Sequence, residues 1–295
     1  MQGHSLSTMI GVCTHFERRD EGWKVEALLP KVAELGIGVI RQEIKWEDVE
    51  TEKGKYAIPR VDQDWLDQTE AAGFKIILLL CYGNPVYENP LDPDGFAAYA
   101  QFMAKTLKRR HIIAYEIWNE PTNFYFYNQY GGSWSGAEPS LWRVKFCELL
   151  VKAARAIKAE DPAADIITNP GEPQSIHMME RHPEAFADIS GISHHPYSVR
   201  FPPETVPFGG GRISAKDQAC VADDQHSVLS VYSMTRDHMR TKLGRDLKVY
   251  VTEYGFPSYD SHRRGGWFAG YSEHAQAAYS IRSLVMALWA GVESP

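Results

Sequence analysis

Cysteine is scarce in this sequence, and its few thiols are not arranged to bind a metal or to build a disulfide framework. The 295 residues contain four of them, which are Cys13, Cys81, Cys147 and Cys220. No two lie at the short spacing of a zinc site. The first three fall within predicted strands or helices, where a buried free thiol is the ordinary expectation.

Long apolar runs, a surplus of basic residues and an N-terminal leader are also missing. No apolar run reaches the roughly 18 residues that span a membrane. The net charge of −7 argues against nucleic acid or an anionic membrane as a partner. Residues 1–8 lack the basic and apolar regions of a signal peptide. The sequence is therefore compatible with a cytoplasmic protein and with a secreted protein whose signal peptide has been removed.

Strand-like and helix-like segments alternate along the chain. Apolar, β-prone runs predict strands at residues 8–14, 37–44, 74–81, 112–118, 165–168, 189–194 and 247–253. Helical periodicity predicts helices at residues 23–35, 61–72, 95–109, 141–158, 174–181, 228–243 and 272–288. This alternation predicts a parallel sheet with right-handed crossovers. With no glycine-rich phosphate turn after the first strand, we expect an α/β (β/α)8 TIM barrel, as one domain over residues 1–295.

The predicted barrel has seven βα units in place of eight. The sequence ends at Pro295, where an eighth strand is expected to begin. Without it, the first and seventh strands would each present an unpaired edge. We therefore expect that the natural protein continues past Pro295 and supplies the strand. A partner chain or residues 1–7 are the alternatives for filling the gap.

Polar side chains gather where the predicted strands end. In a barrel of this kind the carboxyl ends of the strands form the active face. Those ends carry His15, Arg41, Tyr82, Asn119, Glu120, His195, Tyr197 and Glu253. The run at residues 112–118 stops in Asn-Glu-Pro, because Pro121 cannot donate to a ladder. Glu120 is thus placed as a general acid, and Glu253 offers a second carboxylate across a cleft.

With these residues the chain resembles the retaining (β/α)8 glycoside hydrolases of the clan that includes families 5 and 39, over nearly its whole length. It is most similar to the family 39 type, in the stretch RQEIKWEDVETEKG at residues 41–54 and in SEHAQA at residues 272–277. The resemblance implies that Glu120, which follows Asn119, is the acid/base. It implies that Glu253, in TEYG, is the nucleophile.

The resemblance also implies substrate-binding or positioning roles for Arg41, Asn119, His195 and Tyr197. Family 5 members often carry a histidine at the tip of the third strand, where this chain has Cys81-Tyr82. The tryptophan that the clan commonly carries on its eighth strand would lie beyond residue 295.

Six aromatic residues crowd the twelve positions 123–134, directly after Glu120. A loop that follows the acid must lie over the cleft, and sugar faces stack on aromatic rings. We therefore expect a substrate platform that includes Tyr82, Trp118, Tyr125 and Trp134. The alternative is a self-packed loop that covers the barrel.

Each of these candidate site residues also has a purely structural explanation. Glu120 could cap a following helix, and Glu253 could form a buried ion pair with Arg41. His195 and Tyr197 could be satisfied polar groups that close the barrel mouth. The pair at residues 194–195 is not expected to hold a metal, because adjacent strand residues point to opposite faces. The basic turn at residues 261–264 could meet acidic sugars, but a solvated turn is favoured.

These expectations combine into a retaining O-glycoside hydrolase that cleaves β-linked oligo- or polysaccharides by double displacement without a cofactor. Two alternatives share the same residues. One is an inactive barrel that only binds carbohydrate, and the other is a transglycosidase.

Overall fold

Seven parallel strands form one curled sheet in the computed structural model, which describes residues 9–108, 110–198, 201–205, 227–258 and 270–293. The strands are β1 (Gly11–Cys13), β2 (Val39–Lys45), β3 (Lys75–Cys81), β4 (Ile112–Asn119), β5 (Ile166–Asn169), β6 (Gly191–His194) and β7 (Lys248–Val251). Each strand pairs in parallel with the next one along the chain. The predicted α/β barrel-type fold is therefore confirmed. Cys220, residues 1–7 and the basic turn at 261–264 lie outside the described residues.

The described part of the chain contains nine α-helices, most of which connect one strand to the next. They are α1 (Val25–Glu34), α2 (Trp46–Val49), α3 (Arg60–Ala71), α4 (Pro93–Leu107), α5 (Phe126–Tyr130), α6 (Leu141–Glu160), α7 (Glu172–Arg181), α8 (Val228–His238) and α9 (Glu273–Trp289). All the predicted helices are present with bounds shifted by a few residues, and the short α2 and α5 were not predicted. None of these helices is both long and apolar enough to cross a membrane.

The sheet is buried on both faces, as the uninterrupted apolar run of β3 predicts. Alternate residues such as Ile76 and Leu78 pack against the helices in the larger core. The intervening residues point into the barrel, where a separate layer takes one side chain from each of five strands: Val39, Ile77, Ala114, Ile167 and Tyr250. Three described cysteines are free thiols within or beside these cores, as expected.

The sheet is open between its first and last strands. The ladder runs from β1 to β7, and within the described ranges no pairing joins these two strands. A thiol contact crosses the opening, from Cys13 Sγ to the Thr252 carbonyl oxygen at 3.0 Å. After α9, Glu293 donates its backbone N–H to the Val249 carbonyl on β7 at 2.8 Å. The expected open edge is therefore observed, and what completes the sheet stays a prediction.

Candidate active site

The chain turns sharply as it leaves β4, and this turn aims Glu120 at the barrel mouth. Trp118 and Glu120 both have left-handed backbones, with φ of 65° and 45°. Such conformations are strained for residues other than glycine and are concentrated at functional sites. Pro121 follows and ends the ladder. The carboxyl of Glu120 is thereby released from the sheet at its carboxyl edge.

Arg41 is the central cation of the site. Its side chain extends from β2 into the barrel mouth and is 9% exposed. Its Nε donates to Glu116 Oε2 at 2.5 Å, its Nη2 to Asn119 Oδ1 at 2.8 Å, and its Nη1 to Glu253 Oε2 at 3.1 Å. The predicted ion pair between Arg41 and Glu253 is therefore present. A second carboxylate, that of Glu116, also compensates the buried charge.

Glu116 is a component of the site that the sequence analysis did not identify. It is completely buried. Its Oε1 accepts hydrogen bonds from Ser193 Oγ at 2.6 Å and from Thr252 Oγ1 at 2.8 Å. Burial alone would raise its pKa, but the Arg41 charge and the surrounding donors hold the pKa below its ordinary value of 4.5. A carboxylate inside an apolar strand requires such partners. The position of Glu116 within the apolar run was therefore the sequence signal that could have identified it.

Glu120 is held by two donors. Its Oε1 lies 2.7 Å from His195 Nδ1, and its Oε2 accepts from Asn123 Nδ2 at 2.9 Å. Burial would raise the pKa of Glu120, but the hydrogen bond and charge of His195, followed by Asn123, lower it overall. The other ring nitrogen of His195, Nε2, lies 3.0 Å from Thr252 Oγ1. Glu120 is therefore coupled through His195 and Thr252 to the buried Glu116 network.

Glu253 lies just beyond its strand. The predicted strand extended through this residue, but β7 ends at Val251, so Glu253 belongs to the loop that follows. Its Oε1 accepts a hydrogen bond from the Tyr197 hydroxyl at 2.6 Å. Burial, followed by the Glu253 charge, holds the pKa of Tyr197 well above its ordinary value, so the phenol keeps its proton and donates.

The two candidate carboxylates face each other across the mouth. One oxygen of Glu120, one of Glu253 and a ring nitrogen of His195 all lie within 4.8 Å of one another. His194 is buried and packs against Tyr232, with ring centroids 5.8 Å apart. The two adjacent histidines thus point to opposite sides of β6, as predicted.

A cleft of about 810 Å³ opens beside these groups. Arg41, Asn119, Tyr197 and Glu253 contribute to its polar wall. Its aromatic wall contains Tyr82, Phe124 and Tyr125, and the Tyr82 and Phe124 rings stack at 5.4 Å and 27°. Tyr125 is 52% exposed. A ligand in the cleft would therefore meet the Glu253 carboxylate and open ring faces.

The remaining predicted platform residues are placed differently. Trp118 is completely buried, with its ring 4.9 Å from that of Phe126. The expectation of direct substrate contact for Trp118 is therefore corrected to a packing role beneath the loop. Trp134 is exposed but is not among the described residues that line this cleft. The aromatic loop thus combines both proposed roles, since it packs on itself at Phe126 and lines the cleft at Tyr125.

Two carboxylates that face each other at strand ends of a parallel α/β barrel are the arrangement that glycoside hydrolases use. Residues 2–290 match the family model described as cellulase, glycosyl hydrolase family 5. The chain belongs to that family. The resemblance to the clan that includes families 5 and 39 is thereby confirmed.

Solved structures with the same fold include several glycosidases. One is a family 39 glycoside hydrolase from the gut symbiont Bacteroides cellulosilyticus WH2, with a TM-score of 0.73 and 20% identity over 97% of this chain and 55% of that chain. Another is the exo-β-1,4-mannosidase Op5Man5 from Opitutaceae bacterium strain TAV5, with a TM-score of 0.61 and 18% identity over 100% of this chain and 54% of that chain. A glucosidase from Croceicoccus marinus has a TM-score of 0.66 and 11% identity over 97% of this chain and 58% of that chain.

The chain thus spans little more than half the length of these structures. At such low identity the likeness concerns the fold alone. No curated protein sequence matches the chain.

Proposed function

We propose that this protein is a retaining O-glycosidase, with Glu253 as nucleophile and Glu120 as acid/base, within one catalytic barrel domain over residues 1–295. The observation that carries the proposal is the spacing of the two carboxylates, whose oxygens approach within 4.8 Å. Retaining enzymes place their carboxyl groups about 5–5.5 Å apart, and inverting enzymes roughly 6.5–9.5 Å apart. A limit of 4.8 Å between the nearest oxygens agrees with the shorter, retaining separation.

In the first step Glu253 forms a bond to the anomeric carbon while the glycosidic bond breaks and Glu120 protonates the departing oxygen. Arg41 and the Tyr197 hydroxyl each bind one oxygen of Glu253, which favours its ionised form and fixes its direction of attack. In the second step the ionised Glu120 takes a proton from water. The water attacks the glycosyl-enzyme, releases the sugar and restores both carboxyl groups.

The hydrogen-bond network supports an acid proton beside Glu120. The Thr252 hydroxyl has one proton, which it donates to Glu116, so it accepts from His195 Nε2. The 2.7 Å contact between His195 Nδ1 and Glu120 then requires a proton between these two atoms. The lowered pKa of Glu120 favours its carboxylate in the free site. The His195–Glu120 pair therefore carries the proton that the leaving oxygen receives.

The cleft supports a carbohydrate ligand. Arg41 donates a hydrogen bond to the side-chain oxygen of Asn119, so the amide nitrogen of Asn119 can donate to a sugar hydroxyl. Such a donor suits the contact to the sugar 2-hydroxyl, which strengthens in the transition state. The exposed rings of Phe124 and Tyr125 line the same cleft and can stack on sugar faces. We therefore propose β-linked oligo- or polysaccharides as the substrate class.

The experiment compares Glu253→Gln and Glu120→Gln on an aryl β-glycoside with a good leaving group and on natural polysaccharides. Glu253→Gln is expected to abolish turnover of both. Glu120→Gln should slow the natural substrates far more, because an activated leaving group needs little acid help. Glu47→Gln, which changes an exposed carboxylate at the same cleft, is the matched control and should retain activity.

Four outcomes would contradict the proposal. Equal losses on both substrates in Glu120→Gln, without rescue by azide, would exclude Glu120 as acid/base. A first product of inverted anomeric configuration by proton NMR would exclude the nucleophile. Silence of the folded wild-type chain on every substrate, together with carbohydrate binding, would favour the inactive binding barrel. Products longer than the substrate would indicate transglycosylation.

A further inference from the structure

A second group of metal-ligating side chains lies at the ends of β1 and β2. A nitrogen of His15 and carboxylate oxygens of Glu17 and Glu43 all lie within 4.8 Å of one another. Glu43 is two residues from Arg41 on β2, so both side chains point to the same face of the sheet. His15 and Glu43 line the same cleft as Glu253. The two groups nevertheless share no ligand residue.

Two of these atoms are buried without a hydrogen bond. Over the described ranges, His15 Nδ1 and Glu43 Oε1 make no hydrogen bond although both are inaccessible to solvent, and His15 Nδ1 lies 3.4 Å from Glu17 Oε1. Glu43 as a whole is 7% exposed. Buried polar atoms ordinarily find a partner, and an unsatisfied one destabilises the folded state. Both atoms belong to the three-residue group, which is therefore incomplete without a further binding partner.

The surrounding charges are mixed. Gln42 Nε2 donates to Glu17 Oε2 at 2.5 Å, and Arg18 Nε donates to Glu17 Oε1 at 3.1 Å. Lys45 Nζ lies 3.7 Å from Glu43 Oε1 and opposes a bound cation. The Lys45 side chain is 28% exposed, so its ammonium group has access to solvent and can move away. The contacts to Glu17 fix its orientation, as partners of a metal ligand commonly do.

The remaining contact of Glu43 is weak. Its Oε2 faces the Cys81 thiol at 3.7 Å. A cation bound between the Glu17 and Glu43 carboxylates would relieve the repulsion between their charges.

We propose that His15, Glu17 and Glu43 bind a divalent first-row transition metal ion of the Zn²⁺ or Mn²⁺ type. One imidazole nitrogen with two carboxylate oxygens suits these ions. Ca²⁺ prefers about six to eight oxygen ligands, and Mg²⁺ keeps several waters in an all-oxygen shell. Three protein ligands leave coordination positions open toward the cleft, where water or a sugar hydroxyl completes the shell.

The test is calorimetric titration of Zn²⁺ into tag-free protein that has been stripped with chelator. The expected result is one equivalent bound by the wild type and a raised Tm, since an ion that binds only the folded state stabilises it. Ca²⁺ and Mg²⁺ at the same concentration should give neither effect. Glu43→Gln and His15→Gln should each weaken Zn²⁺ binding by more than the roughly tenfold cost of changing an outer-shell partner.

Two further variants locate the ion. Glu47→Gln and Glu253→Gln should retain the bound equivalent, because neither residue belongs to the proposed site. Absence of stoichiometric binding by the wild type overturns the proposal. Retention of full affinity in Glu43→Gln together with loss in Glu253→Gln also overturns it, since the ion would then lie on the Glu120–His195–Glu253 group.

A crystal soaked in Zn²⁺ keeps the proposal testable if a variant fails to fold. An anomalous peak about 2.0–2.2 Å from His15 Nδ1 and from a carboxylate oxygen supports the site. A peak elsewhere, or none, overturns it.

Discussion

Replacing Glu116 with glutamine tests whether the active site of this barrel is also a structural element. The change keeps the size and shape of the side chain but removes its charge. Arg41, whose side chain is 10% exposed, would then lose the carboxylate that its Nε approaches at 2.5 Å. The new amide would also present two N–H groups to Ser193 and Thr252, which now donate to the carboxylate.

The expected loss follows from the burial of both partners. Breaking a buried ion pair by neutralising one member costs roughly 3–5 kcal/mol, because the other charge is left buried. Arg41 retains Glu253 and Asn119 as partners, which places Glu116→Gln near the lower end, at about 3 kcal/mol. At roughly 2–4 °C per kcal/mol for a chain of this size, Tm should fall by about 6–12 °C.

Urea unfolding followed by circular dichroism measures this loss, with Glu70→Gln as the control. Glu70 pairs with Arg110 at the same 2.5 Å, but the two side chains are 33% and 26% exposed. Such a partly exposed pair contributes no more than about 1 kcal/mol. Equal losses in Glu116→Gln and Glu70→Gln would refute the argument from burial.

The pH dependence gives a second check. The folded-state pKa of Glu116 is held below its ordinary value of 4.5, so its contribution is fully present above that value. The contribution is lost as pH falls through the lowered pKa. The stability difference between the wild type and Glu116→Gln should therefore shrink as pH is lowered below about 4.5. A difference that stays constant over this range would show that the Glu116 charge is not responsible.

Three further predictions address individual groups of the site. His195→Ala should raise the pKa of Glu120 in a carboxyl ¹³C NMR titration, because burial remains while the main donor is lost; an unchanged or lower pKa would contradict this. Tyr197→Phe removes a hydrogen bond to the proposed nucleophile worth about 1.5–3 kcal/mol, so kcat should fall roughly tenfold to a hundredfold. An unaltered kcat would exclude a catalytic role for the phenol. Tyr125→Ala should weaken oligosaccharide binding while leaving Tm nearly unchanged, since the residue is 52% exposed. Phe126→Ala should instead lower Tm, because it leaves a cavity in the core. Weaker binding in Phe126→Ala together with a lower Tm in Tyr125→Ala would exclude Tyr125 from the platform.

The architecture could be predicted because it depends on local periodicity. The apolar run of β3 and the helices between strands are visible without any knowledge of distant contacts. Parallel strands then bring Arg41, Asn119 and Glu253 to one edge by geometry alone. Their hydrogen bonds to one another follow from that placement.

The missed features depend on contacts between remote parts of the chain. Glu116 was overlooked because its partners come from β2, β6 and the end of β7. Trp118 was expected in the cleft because its neighbour Glu120 is there. Its left-handed backbone instead leaves the ring beneath the aromatic loop. The unusual backbone conformation of Trp118 is therefore the reason why its closeness to Glu120 in sequence did not predict the position of its ring.

The three hydrogen bonds of Arg41 have a consequence for the mechanics of the open sheet. Arg41 belongs to β2 and Glu253 follows β7, so their contact bridges the two sides of the opening. A small separation of these sides would lengthen this contact while the β2-to-β7 ladder stays intact. The position of the Glu253 carboxylate, the proposed nucleophile, is thus coupled to the width of the opening. Any segment or ligand that fixes this width also sets the alignment of that carboxylate.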